Sequence, residues 1–462
     1  MGGACDTSRM LLWGPMIRDR RAILALLTAL NLVNYIDRAV IAAVLTPMKT
    51  QLGLTNFEAG VLNTAFLIGY FATSPLFGLR ADKGARKWMI ALGVVTWSLA
   101  TVASGLAVGF WSLLVARVVV GVGEASYLVL APTIIDDVTP LDRKGTALST
   151  FYVAIPVGYA LGYILGGTIA EQWDAVSGGG WPAGWQMAFF VVGGPGVVLA
   201  LTCLLIVEPP RKLLHARAKL LDGVRELVAI PLFRRAVLGY CAYVGSLAGF
   251  SYWVVDFLLR AFPDELKVGT ANQRLGGILL VSGAIGTLIS ARFANRASRS
   301  HVPRADEPYD SPGNKRAVNH LLRVCGVGMA VAAPLSAVGF LLPGSNAFFA
   351  VSFFVQIGLF STTSPVNVAF MRAVPTERRA SAVAMSIFAS HLFGDLWSAA
   401  LLGVLLDLLP LKIAMLSLPL TFAWSAYIWW PRRREASGPA AGEPGEPGVP
   451  PELPPARVHT TT

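Results

Sequence analysis

Twelve apolar stretches follow one another along the chain, each close to the roughly 20 residues a helix needs to cross a bilayer. They run over 21–47, 57–80, 87–108, 111–136, 145–170, 185–207, 235–262, 270–292, 319–342, 346–371, 380–408 and 411–431. Only 14% of the residues are charged, against about 25% in soluble domains, so the polar surface that a soluble fold requires is missing. This pattern predicts an all-α membrane protein of twelve transmembrane helices. The first stretch follows Arg18, Arg20 and Arg21. Its length and polar centre distinguish it from the short apolar region of a cleavable signal peptide, and it reads as the first span.

Charge sets the expected orientation. With both termini on one side, 31 of the 38 Lys and Arg residues fall on that side. Only Lys49, Arg260, Lys267, Arg274 and Lys412 fall on the other. The positive-inside rule therefore predicts cytoplasmic N- and C-termini and an even number of spans. Short connections point to a multi-pass protein of a bacterial inner (plasma) membrane. The net charge of +11 sits in these connections, which makes nucleic acid an unexpected partner. Cys5, Cys203, Cys241 and Cys325 have no metal-ligand spacing, so no metal or cofactor is expected. Gly121-x-Gly123 lacks the strand and third glycine of a nucleotide fingerprint. No Walker loop, His-Glu-x-x-His or Gly-x-Ser-x-Gly occurs either. No catalytic residue is assigned, and the chain reads as a non-enzyme.

The expected organisation is an N-terminal segment 1–20, a six-span bundle 21–207, a linker 208–234, a second six-span bundle 235–431 and a tail 432–462. The tail is rich in Pro, Gly and Glu and should be disordered. In the linker, Leu220, Val224, Leu227 and Val228 lie at helical spacing and predict a helix along the membrane surface. Asp142-Arg143-Lys144-Gly145-Thr146-Ala147 opens span five, and Glu377-Arg378-Arg379-Ala380-Ser381-Ala382 opens span eleven, 235 residues later. With six spans in each half, this echo predicts two parallel repeats around a central site.

Charges inside the spans carry the functional argument, because each costs about 2.5–3.5 kcal/mol at mid-membrane on insertion scales. Span one contains Asn34-Tyr35-Ile36-Asp37-Arg38, and span four contains Arg117 and Glu124. The seven-residue interval puts Arg117 and Glu124 on one helix face. Spans one and four run in opposite directions, so all four charges can share a depth. One reading is a titratable cluster on a watery cavity: burial favours a neutral carboxyl, a neighbouring arginine the carboxylate. The other is a static pair joining two spans, which apolar packing could replace more readily. The first is preferred. Glycines 158, 162, 166 and 167 in span five read as a helix-packing face. Tyr70, Tyr127, Tyr152, Tyr240 and Trp253 are candidate cavity aromatics.

The loop Gly78-Leu79-Arg80-Ala81-Asp82-Lys83-Gly84-Ala85-Arg86-Lys87 resembles the Gly-x-x-x-Asp-Arg/Lys-x-x-Arg-Lys signature of the major facilitator superfamily. The resemblance implies a gating latch of Gly78, Asp82 and Arg86 with Arg378 ahead of span eleven. Gly78 would permit close helix approach, and Asp82 would face a positive helix N-terminus. Such a latch would hold an outward-facing state. The acid is missing from the matching place near Ala291-Arg292. Gly121-Val122-Gly123-Glu124-Ala125-Ser126-Tyr127 with Ala131-Pro132-Thr133-Ile134-Ile135-Asp136-Asp137, Ile155-Pro156-Val157-Gly158 and His391-Leu392-Phe393-Gly394-Asp395 look like the spinster branch of that superfamily.

That branch implies two six-helix bundles and a secondary active transporter working by alternating access. Its cargo would be an amphipathic lipid-like anion, such as a lysophospholipid or a sphingosine-phosphate-like lipid. It also implies proton coupling through Asp37, Arg38 and Glu124. Substrate contacts would come from Arg38, Glu124, Arg117, Tyr127, His391 and Asp395. The expected partners are the lipid-like substrate, protons and membrane lipids, with the chain acting as a monomer. The alternatives are transport of another small organic anion or drug, an intramembrane lipid-modifying enzyme using His391 and Asp395, and a sensor that kept a transporter fold.

Overall fold

The computed structural model describes residues 17–81, 85–208, 220–301 and 308–430. Twelve of its helices are long and apolar enough to span a membrane. They are α1 (Arg20–Ala43), α2 (Asn56–Arg80), α3 (Arg86–Gly105), α4 (Phe110–Val138), α5 (Lys144–Ser177), α6 (Gly184–Cys203), α7 (Pro231–Ala261), α8 (Val268–Phe293), α9 (Pro312–Leu341), α10 (Ser345–Arg372), α11 (Ser381–Leu408) and α12 (Leu411–Trp429). Helices α7 and α9 begin before the apolar stretches that predicted them, because Pro231 and Pro312 each occupy a first helical turn where the missing N–H costs nothing.

In the first half α1 packs on α5, α2 on α4, and α3 on both α4 and α6. In the second half α9 packs on α10 and α12, α7 on α12, and α8 on α10. The halves meet mainly where α5 lies along α8 and α2 along α11. Helices five and eleven hold corresponding places in the two sixes, as do two and eight, so the seam has approximate two-fold character. The α1–α5 contact depends on the predicted glycine face. A side chain on Gly162 would put its Cβ 2.6 Å from the Ala39 Cβ and 2.7 Å from the Ile36 carbonyl.

The linker contains a helix, Leu220–Ala229. Leu227 is buried against a core that includes Phe233, while Val224 and Val228 stay exposed. That division suits a helix lying flat on a surface. The proposed tail, residues 432–462, lies outside the described residues.

Polar contacts between the halves gather at the end opposite the termini. Lys49, on the short helix Leu45–Leu52, reaches Asp256 of α7 at 2.9 Å, and Thr46 reaches the same carboxylate at 3.0 Å. Burial pushes the Lys49 ammonium below the usual lysine range, and Asp256 opposes that shift. Asp407 of α11 accepts from the backbone N–H groups of Asn56 and Phe57 at 3.0 and 2.8 Å, capping α2. Glu171 of α5 accepts from the Gly269 N–H at 2.7 Å, capping α8. Each half thus places a carboxylate on a helix N-terminus of the other, where the helix dipole favours negative charge. At the terminal end Arg86 pairs with Asp137 at 2.7 Å and Lys144 with Asp136 at 2.5 Å within the first half, and Arg378 pairs with Glu226 of the linker helix at 2.7 Å.

Candidate functional site

A cavity of about 240 Å³ lies between the halves near their middle. The first half contributes Arg38, Phe66, Arg117, Tyr159 and Tyr163. Across from them stand Ser251, Tyr252, Phe360 and Asp395 of the second half. A larger cavity of about 820 Å³ lies under the linker helix at the terminal end, around Glu226, Lys315 and Arg378. Its walls are the linker and the second half, so it does not sit on the seam.

Two of the predicted charges are joined. Arg38 Nε donates to Glu124 Oε2 at 2.6 Å, with Glu124 fully buried and Arg38 13% exposed. The guanidinium carbon lies 5.1 Å from the Tyr35 ring centre, 4.9 Å from Phe66 and 5.7 Å from Tyr70. Aromatic faces attract a cation partly stripped of water, so this cage holds Arg38 at the cavity wall. Phe66 also carries Arg117, whose guanidinium carbon is 5.1 Å from the ring centre.

Arg117 is 1% exposed, yet its Nε and Nη1 have no hydrogen-bond partner. A buried guanidinium without acceptors is costly, and this one borders the cavity.

Three sequence expectations are corrected by the coordinates. Asp37 does not reach the cavity. Residues adjacent on a helix point about 100° apart, so with Arg38 on the cavity wall Asp37 is carried into the first half. It is fully buried there and turned toward Trp97 and Thr101 of α3 without closing a hydrogen bond. Tyr127 is no cavity residue either. It packs edge-on to Trp97, and its hydroxyl donates to the Leu27 carbonyl; that ties α4 to α1. Gly78 makes no close helix contact, since a Cβ there would meet nothing within 4 Å.

The two described arginines of the expected latch pair elsewhere. Arg86 binds Asp137 and Thr133 within its own half, and Arg378 binds Glu226 of the linker helix. Asp82 lies outside the described residues.

His391 and Asp395 form a pair within α11, His391 Nδ1 to Asp395 Oδ2 at 2.8 Å. They bound a π-helical turn, His391–Asp395, of the kind that recurs at functional sites. Gly394 lets that turn lie flat on α7, for a Cβ there would come 2.7 Å from the Cys241 carbonyl. Asp395 reaches the cavity, while His391 leans on Phe71 with ring centres 5.5 Å apart.

Of the candidate aromatics, Tyr70 belongs to the Arg38 cage, whereas Trp253 is fully buried and donates to the Ala399 carbonyl. The sequence reading missed Tyr159, Tyr163 and Tyr252. A signal existed for two of them: Ile155, Tyr159 and Tyr163 recur every four residues on α5, and all three line the cavity. Tyr163 donates to the Ser251 carbonyl across the seam.

Known proteins match this chain along most of its length. The sequence profile of the Major Facilitator Superfamily matches residues 27–396. Protein spinster homolog 1 of Homo sapiens is 31% identical over 412 residues, covering 83% of this chain and 72% of that protein. A probable sphingolipid transporter, spinster homolog 2 of Arabidopsis thaliana, is 30% identical, covering 88% and 86%. Among solved structures, a bacterial homolog of the human lysosomal transporter spinster, in an inward-facing and occupied conformation, superposes with a TM-score of 0.75. The two are 22% identical, and the match covers 91% of this chain and 99% of that one. A D-xylose–proton symporter superposes with a TM-score of 0.69 at 15% identity, covering 89% and 97%.

Proposed function

The chain belongs to the spinster family of the major facilitator superfamily, and from that premise we propose that this multi-pass membrane transporter carries a lipid-like amphipathic anion by proton-coupled alternating access. The observation that carries the anionic headgroup is Arg117. Its buried guanidinium stands on the cavity wall with no carboxylate bonded to it among the described residues, and a phosphate or carboxylate entering the cavity would supply the missing countercharge. Arg38, expected from the sequence to meet the headgroup, is already engaged by Glu124. The relative named as a probable sphingolipid transporter supports a lipid class. The cavity volume of about 240 Å³ is below the roughly 300–1,000 Å³ usual for drug-sized ligands. It accommodates a headgroup, and the apolar tail would lie along the opening between the halves.

Coupling follows from the Arg38–Glu124 contact. While Arg38 touches Glu124, the guanidinium favours the carboxylate form. When the headgroup draws Arg38 away, the isolated buried carboxylate takes a proton in place of its partner. Asp37, in the first half, acts on the cluster through Arg117. His391 and Asp395 offer polar contacts from the second half. With the termini in the cytoplasm, as the basic connections favour, closure at the far end makes this the inward-facing state. The latch of Gly78, Asp82, Arg86 and Arg378 would form in the outward-facing state. A bacterial inner membrane and a monomeric carrier complete the reading.

The test is uptake of a labelled lysophospholipid into proteoliposomes, with and without a pH gradient. Arg117→Gln should raise KM at least tenfold. Glu124→Gln should keep exchange in the absence of a gradient while losing stimulation by it. Equal gradient stimulation in Glu124→Gln would remove that residue from coupling. Wild-type protein that moves a short organic anion but no lysolipid would favour the organic-anion alternative.

A further inference from the structure

A second basic crevice lies away from the seam, at the terminal end of the first half. There the first turns of α1 and α5 enclose a cavity of about 430 Å³ lined by Arg20, Arg21 and Arg143. The side chains of Thr139, Thr146 and Thr150 border it as well, with Leu24 and Ala147 as its apolar part. The carboxylates closest in sequence are committed elsewhere. Asp19 caps α1 through the Ala22 N–H, Asp136 holds Lys144 and Asp137 holds Arg86. Arg143 has only its mostly exposed neighbour Asp142, at 3.7 Å. Among the described residues Arg20 and Arg21 make no ion pair. Three guanidinium groups therefore face one cavity with little compensating charge, next to two helix N-termini that add positive potential.

The surroundings distinguish between possible anions. Guanidinium forks and hydroxyls suit phosphate oxygens. A soluble phosphate would need nothing more. Here apolar surface continues from the basic mouth along α5, where Val153 is 60% exposed and Val157 half-buried. They follow Thr150 by one and two turns on its face of the helix, in the direction of the membrane interior. A phosphate site at the bilayer surface, followed at once by exposed apolar side chains, matches a phospholipid: headgroup first, acyl chain after.

We propose that this crevice binds the phosphate headgroup of an anionic membrane phospholipid from the leaflet at the terminal end, with an acyl chain along Val153 and Val157. The site is separate from the central cavity and independent of which solute is carried.

Native mass spectrometry of the full chain, delipidated in detergent and titrated with phosphatidylglycerol or phosphatidylcholine, tests this. The wild type should retain phosphatidylglycerol at least tenfold more tightly than phosphatidylcholine. The triple variant Arg20→Gln/Arg21→Gln/Arg143→Gln should lose roughly 100-fold in affinity for phosphatidylglycerol, as expected for three surface arginines near an anionic lipid. A charge-matched control, Arg225→Gln/Arg234→Gln/Arg316→Gln, should change it by less than about twofold. The substituted arginines are exposed, and each single variant should lose part of the affinity if the triple variant proves unstable. Unchanged binding in the triple variant would overturn the proposal. So would an equal loss in the control, equal retention of the two lipids, or displacement of phosphatidylglycerol by inorganic phosphate at matched concentration.

Discussion

Asp37 and Arg38 are consecutive residues with separate environments, one packed inside a bundle and the other on the seam between bundles. Their types and depth were legible from the sequence, because charge in a span is expensive. Their directions were not, since a one-residue shift rotates a side chain about 100° around the axis and only the neighbouring helices decide which way is inward. Tyr127 failed for the same reason. It follows Glu124 by three residues, close to the same face, yet its longer side chain passes between Trp97 and Phe151 to the Leu27 carbonyl. Its role is structural, so Tyr127→Phe should destabilise the protein by about 1 kcal/mol, the net worth of one buried hydrogen bond, since the Leu27 carbonyl keeps its place in the α1 ladder. A lower thermal midpoint with an unchanged transport KM is the expected result. A raised KM at unchanged stability would return Tyr127 to the substrate path.

At the scale of elements, the spans and the span-five glycines were readable because length and small-residue spacing are local properties. The π turn in α11 was not, although His391 and Asp395 were singled out. Four residues apart is an ordinary helical interval, and what widens the turn is its contact with α7 at Gly394 and Gly245. The glycine face makes a separate claim. Gly162→Val should separate α1 from α5, because even its Cβ would overlap Ala39 and the Ile36 carbonyl. Overpacking of this kind costs about 1–3 kcal/mol. The measurement is the thermal midpoint beside substrate selectivity: the first should fall and the second should hold.

The whole molecule is closed at one end by contacts that no local pattern announced. Glu171 and Asp407 lie at the far ends of the two helices whose beginnings carry the internal echo. Each caps a helix of the opposite half, and pairing residues this distant in sequence requires the assembled fold. A carboxylate at a helix N-terminus contributes about 0.3–1 kcal/mol, and up to about 2 kcal/mol when partly buried. Glu171→Gln with Asp407→Asn should therefore move the population toward a state open at that end by several-fold or more. Accessibility of a cysteine placed at Ala59, fully buried where Tyr252 crosses the seam, to a water-soluble thiol reagent reports the shift. The two single effects should nearly add, because the sites share no partner.

Closure by amide groups, beside the fitted Lys49–Asp256 pair, has a mechanical consequence. A carboxylate at a helix start can accept from any of several neighbouring N–H groups, so the two halves can meet again slightly rotated and still engage. Such a clasp tolerates misalignment, and repeated opening demands no exact return of every rotamer.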